Sequence, residues 1–199
     1  MASHSDPAGA AVDWESRYLA GDTPWDKGSP HPALVDWLDG HRVHGRILVP
    51  GCGAGHDVRS LSGDPDAVVT GMDISPSALK IARGFPPVGR ESYILGDFLA
   101  GVAPGPFDWI FEHTCFCAIE PVMRSAYARS AAEALAPEGC LLAIFYRDPD
   151  HVGGPPFGCT PDEIDGLFGR YFEPLESRVG LKTFEGREER EWLQVFRRK

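Results

Sequence analysis

Apolar residues along this chain fall into short blocks separated by longer mixed stretches. Residues 47–49, 67–72, 92–95, 109–111 and 140–146 are brief and apolar, as strands covered on both faces are. Helix-like patterns lie between them. Residues 76–83 follow Ser75, an N-cap candidate with proline at the first helical position, and residues 121–135 end ahead of Pro137 and Gly139. This alternation predicts an α/β doubly wound, mostly parallel sheet with helices on both faces. Near the C-terminus the rhythm changes. Residues 178–184 and 191–196 both read as strands, and the EGREER link between them is too short for a crossover helix, so they are expected to pair as an antiparallel hairpin that completes seven strands. Residues 1–10 are small and polar and predict a disordered tail; residues 11–199 read as one domain, whose opening segment, 11–45, lacks strong patterning.

Composition narrows the function. At 199 residues the chain has the size of one large domain, able to bury roughly 70% of its unfolded surface. Asp and Glu outnumber Lys and Arg by 29 to 19, giving a net charge of −10, which argues against a nucleic-acid partner and for a small-molecule or inorganic-anion substrate. Five cysteines, at 52, 115, 117, 140 and 159, include no C-x-x-C and suggest neither a disulfide framework nor a zinc ribbon. With no leader-like start and no apolar run near 18 residues, the expectation is a soluble cytoplasmic protein, monomeric or weakly dimeric, with no membrane contact.

The most informative residues follow the first strand. Gly51, Gly53 and Gly55 form G-x-G-x-G, and glycine lets the main chain approach a ligand that any side chain would keep away. A dinucleotide fingerprint needs its third glycine where His56 stands; the observed spacing is typical of S-adenosylmethionine-dependent methyltransferases. Asp73, with Ile74 after it, closes the second strand 22 residues beyond Gly51, where a carboxylate can take both hydroxyls of a ribose. Asp97 follows the third strand, placed for an adenine amino group with Phe98 against the ring. Trp14, Tyr18 and Trp25 form either a lid whose aromatic faces attract a sulfonium or rings packed on the sheet edge. His31, His113 and His151 have no ligand-like spacing, so no metal site is expected.

These residues, with Trp25-Asp26, Pro30-His31-Pro32-Ala33-Leu34, Phe116-Cys117-Ala118-Ile119-Glu120-Pro121 and Asp150-His151-Val152-Gly153-Gly154-Pro155-Pro156, carry a wider resemblance. From about residue 13 onward the chain resembles the halide/thiol (thiocyanate) methyltransferases of the thiopurine methyltransferase-like class. FCAIEP and DHVGGPP are its most specific motifs. The resemblance implies a Rossmann-like class I methyltransferase fold and methyl transfer from S-adenosylmethionine to a halide, thiocyanate, bisulfide or small thiol, leaving S-adenosylhomocysteine. It places Trp14, Tyr18, Trp25, Gly51, Asp73, Asp97, Phe98 and His113 at cofactor-contacting positions; Gly53 and Ile74 join them as neighbours of the glycine turn and of Asp73. Tyr18 stands where the plant proteins have tryptophan, and His113 where they have tyrosine.

Methyl transfer from a sulfonium is an in-line displacement that needs alignment and a dry pocket more than a proton shuttle, and no catalytic triad is expected. Tyr146 and His113 are the candidate catalytic residues, with Arg147 as a possible source of charge; the alternatives are a strand-end ring for Tyr146 and a surface ion pair for Arg147. Cys115 and Cys117 read as inert buried thiols, and His151 as a loop anchor. Other readings are a thiopurine-like or metalloid-oxyanion methyltransferase, a non-catalytic cofactor-binding interaction domain and, last, a nicotinamide oxidoreductase.

Overall fold

The structure, a computed structural model, describes residues 12–101, 103–149 and 153–199. The expected tail, residues 1–10, and His151 lie outside the described residues. Seven strands form one sheet: β1 Gly45–Pro50, β2 Ala67–Asp73, β3 Arg90–Leu95, β4 Phe107–His113, β5 Leu135–Tyr146, β6 Phe172–Arg178 and β7 Glu191–Arg198. Their order is β3-β2-β1-β4-β5-β7-β6. The first five pair in parallel, and β7 runs antiparallel to both β5 and β6. The order reverses between β1 and β4, which opens a crevice beyond their C-terminal ends.

Alternation along the central strands builds two cores. Leu48 and Ile110 face one layer with Tyr127, Ile164 and Phe168, from helices α5 Arg124–Ala134 and α6 Pro161–Phe168. Ile47, Val49 and Phe111 face the other, against Leu34 and Trp37 of α2 Pro32–Leu38 and Val58 and Leu61 of α3 His56–Leu61. Helix α4 Pro76–Gly84 begins as predicted, with Ser75 accepting a hydrogen bond from Ala78 N. Four helices had no clear signal in the sequence: α1 Trp14–Ala20, α2, α3 and α6 have six to eight residues each, too few to display a period.

Two strands differ most from expectation. β5 starts at Leu135 rather than Cys140, because Pro137 and Gly139 sit in an irregularity instead of ending the element: Phe107 pairs with Leu135, but Trp109 pairs with Cys140. The antiparallel end is present, yet its outer strand is Phe172–Arg178, not residues 178–184. As a sheet-edge strand with a mostly exposed pattern and Pro174 inside it, β6 carries little periodic signal. Residues 179–190 form the connection to β7.

Gly71 in β2 is held by space rather than by backbone angle. An added Cβ would lie 2.8 Å from Cys52 Sγ and 2.9 Å from Tyr93 Cδ1. Gly71→Ala should therefore lower stability by about 1–3 kcal/mol in a urea melt. Gly84→Ala, with nothing within 4 Å of the new Cβ, should leave stability within about 0.5 kcal/mol of the parent or raise it.

Candidate functional site

β1 leads into a turn in which Gly51, Gly53 and Gly55 have φ of 58°, 52° and 73°. Side chains disfavour these angles, and space forbids them as well: a Cβ on Gly51 would lie 2.8 Å from Cys115 Cβ, and one on Gly53 would lie 2.9 Å from Tyr18 Oη. Asp73, at the end of β2, is buried. Its Oδ2 accepts from Gly53 N at 2.9 Å and its Oδ1 from Ser75 N at 2.9 Å. Burial pushes its pKa up, and these amides oppose the rise. Asp97 is exposed, with Oδ1 accepting from Leu99 N.

The N-terminal segment, from residue 12, lies over this turn. Trp14 and Tyr18 stand one helical turn apart on α1, and both meet Trp25 edge-on, at 5.2 and 5.7 Å between ring centres. Trp25 Nε1 donates to Tyr18 Oη at 3.1 Å. Glu15 fastens α1 to the start of α4 by accepting from the Ser75 hydroxyl at 2.6 Å and the Ser77 hydroxyl at 2.7 Å.

A cleft of about 290 Å³ lies below. Trp14, Arg17, Tyr18, Trp25 and Gly51 line it, together with Asp73, Ile74, Asp97 and Phe98. Thr114, Cys115, Cys117, Ala118, Ile119, Pro155 and Pro156 complete the lining with Arg187, and Cys115 adjoins Gly51. Gly53 is next to this space and acts on it through Asp73.

Neither candidate catalytic residue, His113 or Tyr146, lines the cleft. Neighbouring side chains on β4 point to opposite faces, so His113 turns toward α2 and α3, where Nδ1 meets Asp57 Oδ2 at 2.8 Å and the ring packs edge-on against His31 at 4.5 Å. The Tyr146 ring lies under the Arg187 guanidinium, 5.3 Å away, and it is Arg187 that reaches the cleft. Arg147 is exposed and lies over Trp192. Nothing in EGREER singles out Arg187 from Arg190 as a site residue; only the folded chain does.

His31, His113 and Glu191 converge closely enough to suggest a metal site. The His31 donors are already committed. His31 Nδ1 accepts from Ala33 N at 3.1 Å, so the neutral ring carries its proton on Nε2 and gives it to Glu191 Oε2 at 2.8 Å. Burial favours this neutral imidazole, and His31 has no lone pair left for a cation, while His113 Nε2 is buried without a hydrogen-bond partner. The thiols near the turn and cleft are raised by burial, Cys117 to about 12, so Cys52, Cys115 and Cys117 stay protonated.

Residues 10–195 match the family model described as thiopurine S-methyltransferase (TPMT). The chain belongs to the thiopurine S-methyltransferase family. Within this methyltransferase family it is similar to thiocyanate methyltransferase 1 of Brassica oleracea, 43% identical over 149 residues, covering 72% of this chain and 66% of that one, just under two thirds of its length. It is 36% identical over 157 residues to the probable thiol methyltransferase 2 of Arabidopsis thaliana, covering 76% and 69%. Among solved structures, Burkholderia thailandensis 1,6-didemethyltoxoflavin-N1-methyltransferase, with bound S-adenosylhomocysteine, has the same fold. The TM-score is 0.71 at 18% identity, covering 98% of this chain and 93% of that one.

Glu112, bonded to the turn that carries Cys115 and Cys117, gives this region a pH dependence. Its Oε1 accepts from Phe116 N at 2.7 Å and its Oε2 from the Tyr127 hydroxyl, while burial outweighs both and raises the carboxyl to about 7. A raised pKa means stability that is complete below the unfolded value near 4.5 and lost as pH climbs through 7. Glu112→Gln keeps both contacts without the ionisation. In urea melts from pH 5 to 8 the parent should lose about 3 kcal/mol relative to this variant; a constant difference would contradict the assignment.

Proposed function

We propose that the protein transfers a methyl group from S-adenosylmethionine to a small soft nucleophile, a halide, thiocyanate, bisulfide or small thiol, by in-line displacement. The observation that carries this reading is the make-up of the cleft. It offers the backbone of the glycine turn, two carboxylates and an aromatic lid, and beside them apolar walls, protonated thiols and two guanidiniums, Arg17 over the Trp25 ring and Arg187. Among the described residues lining the cleft there is no histidine, and its two carboxylates, Asp73 and Asp97, are the ones this reading gives to the cofactor. An acceptor that needs a general base is poorly served there, and one that arrives as an anion is well served.

The residues suit the cofactor. Asp73, held by two amides, would take a ribose diol, and Asp97 the adenine amino group, with Phe98 against the ring. Trp14, Tyr18 and Trp25 would cover the cationic sulfur with aromatic faces. When bound, the cofactor supplies an electrophilic methyl group and a neutral thioether leaving group. The chain aligns the acceptor, strips its water between Ile119, Pro155 and Pro156, and balances its charge with Arg187. His113 and Tyr146 act, on this reading, as supports for the Arg187 region rather than as contacts to the reacting atoms. Among the described residues no helix is long and apolar enough to cross a membrane, and the thiols are free. A reducing cytoplasm and a monomer or weak dimer complete the proposal. The family's name favours an aromatic thiol as the second reading.

Purified protein given S-adenosylmethionine with iodide, thiocyanate, bisulfide or an aryl thiol should release the corresponding methyl product, followed in the headspace or by chromatography. Product from the aryl thiol alone would select the second reading. Cofactor binding with no product from any of the four would count against methyl transfer to soft nucleophiles, and absence of cofactor binding would overturn the class. Arg187→Met should raise the KM for thiocyanate about 10- to 100-fold with little change in kcat, the cost of one charged contact. An unchanged KM would remove Arg187 from the acceptor site.

A further inference from the structure

Arg187 sits in the connection between β6 and β7, residues 179–190, which has neither helix nor strand of its own. A stretch of that length holds one shape only when it is tied down. The tie is Glu191, the first residue of β7, only 4% exposed. Its Oε1 accepts from Arg187 Nη1 at 3.0 Å, and its Oε2 accepts from the Thr183 hydroxyl and from His31 Nε2 at 2.8 Å. Thr183 and Arg187 both belong to the connection, so one carboxylate fixes it at two points, and His31 fixes the carboxylate to the start of α2. A buried carboxylate is tolerated only with such partners. Burial alone would raise it; the hydrogen bonds from His31 and the Thr183 hydroxyl outweigh burial and bring it down, so it stays ionised.

The surrounding rings restrict the same segment. Phe184 packs edge-on against His31 at 5.2 Å and lies over His113 at 6.5 Å. The Arg187 guanidinium lies between the rings of Tyr146 and Phe184, at 5.3 and 6.0 Å. With Nη1 directed to Glu191, Nε and Nη2 remain as donors for a ligand.

We propose that Glu191 is a positioning residue, whose carboxylate, shared among Arg187, Thr183 and His31, aims the Arg187 guanidinium at the acceptor. This rests on Arg187 being the acceptor's charge partner, as proposed above. Glu191 touches no reacting atom; its effect should appear in acceptor affinity and not in cofactor affinity or in turnover at saturation.

Thiocyanate is the probe, titrated calorimetrically into protein saturated with S-adenosylhomocysteine and used as substrate in steady-state assays. Glu191→Gln keeps the size of the side chain and removes its charge. Its thiocyanate Kd and KM should rise about tenfold, with S-adenosylhomocysteine Kd and kcat within about twofold of the parent. Thr183→Val removes one of the two ties and should raise the same two constants about threefold; if Glu191→Gln does not fold, this variant decides alone. Unchanged thiocyanate affinity in the folded variants would overturn the proposal, as would equal losses of thiocyanate and cofactor affinity, the mark of a general structural defect. If the parent itself neither binds nor methylates thiocyanate, the acceptor reading fails and the positioning role falls with it.

Discussion

The hydrogen bond from the Gly53 amide to Asp73 is the contact on which the rest of the site depends. It joins the turn leaving β1 to the end of β2, and the second Asp73 oxygen takes the amide of Ser75. Ser75 in turn caps α4 and gives its hydroxyl to Glu15 of α1. A seven-residue helix has little stability of its own. Its place over the cleft is set through this chain of polar contacts, each a charge-assisted or capping bond worth about 1–3 kcal/mol. Glycine turn, carboxylate and aromatic lid therefore form one unit.

The cleft brings together two kinds of surface. The glycine turn, Asp73 and Asp97 offer directional hydrogen bonds to a large polar ligand. Around Ile119, Pro155 and Pro156 the walls are apolar, and the Arg187 charge is delocalised over a guanidinium, which is weakly hydrated and suits a large, polarisable anion. Thiols held in the protonated form by burial cannot compete as nucleophiles for the methyl group. The division fits a reaction in which the chain's task is to bring an already nucleophilic anion in line and dry.

The fold was legible in the sequence wherever burial on both faces made the pattern strong. Each of the five parallel strands shows as an apolar block, though β5 begins five residues ahead of its block, and Ser75 shows as a cap. The short helices were not legible, because six to eight residues give a periodic signal no room, and the edge strand β6 was not, because Pro174 and exposed side chains hide it. Most predicted cofactor residues do line one cleft, since local motifs position them. His113 and Tyr146 do not, because strand alternation and the Asp57 contact turn one away while Arg187 covers the other. Arg187, Glu112 and the His31–Glu191 pair come together only through long-range packing. The convergence of His31 with Glu191 spans 160 positions, a relation no local pattern carries.

On this reading one cleft holds S-adenosylmethionine by the glycine turn, Asp73 and Asp97. A crystal structure of the protein with S-adenosylhomocysteine is the decisive experiment. The ribose is expected on Asp73, the adenine between Asp97 and Phe98, and the sulfur facing Cys115 to Ile119 beneath Trp14 and Trp25. Ligand density elsewhere, or a cofactor whose ribose makes no contact with Asp73, would contradict it.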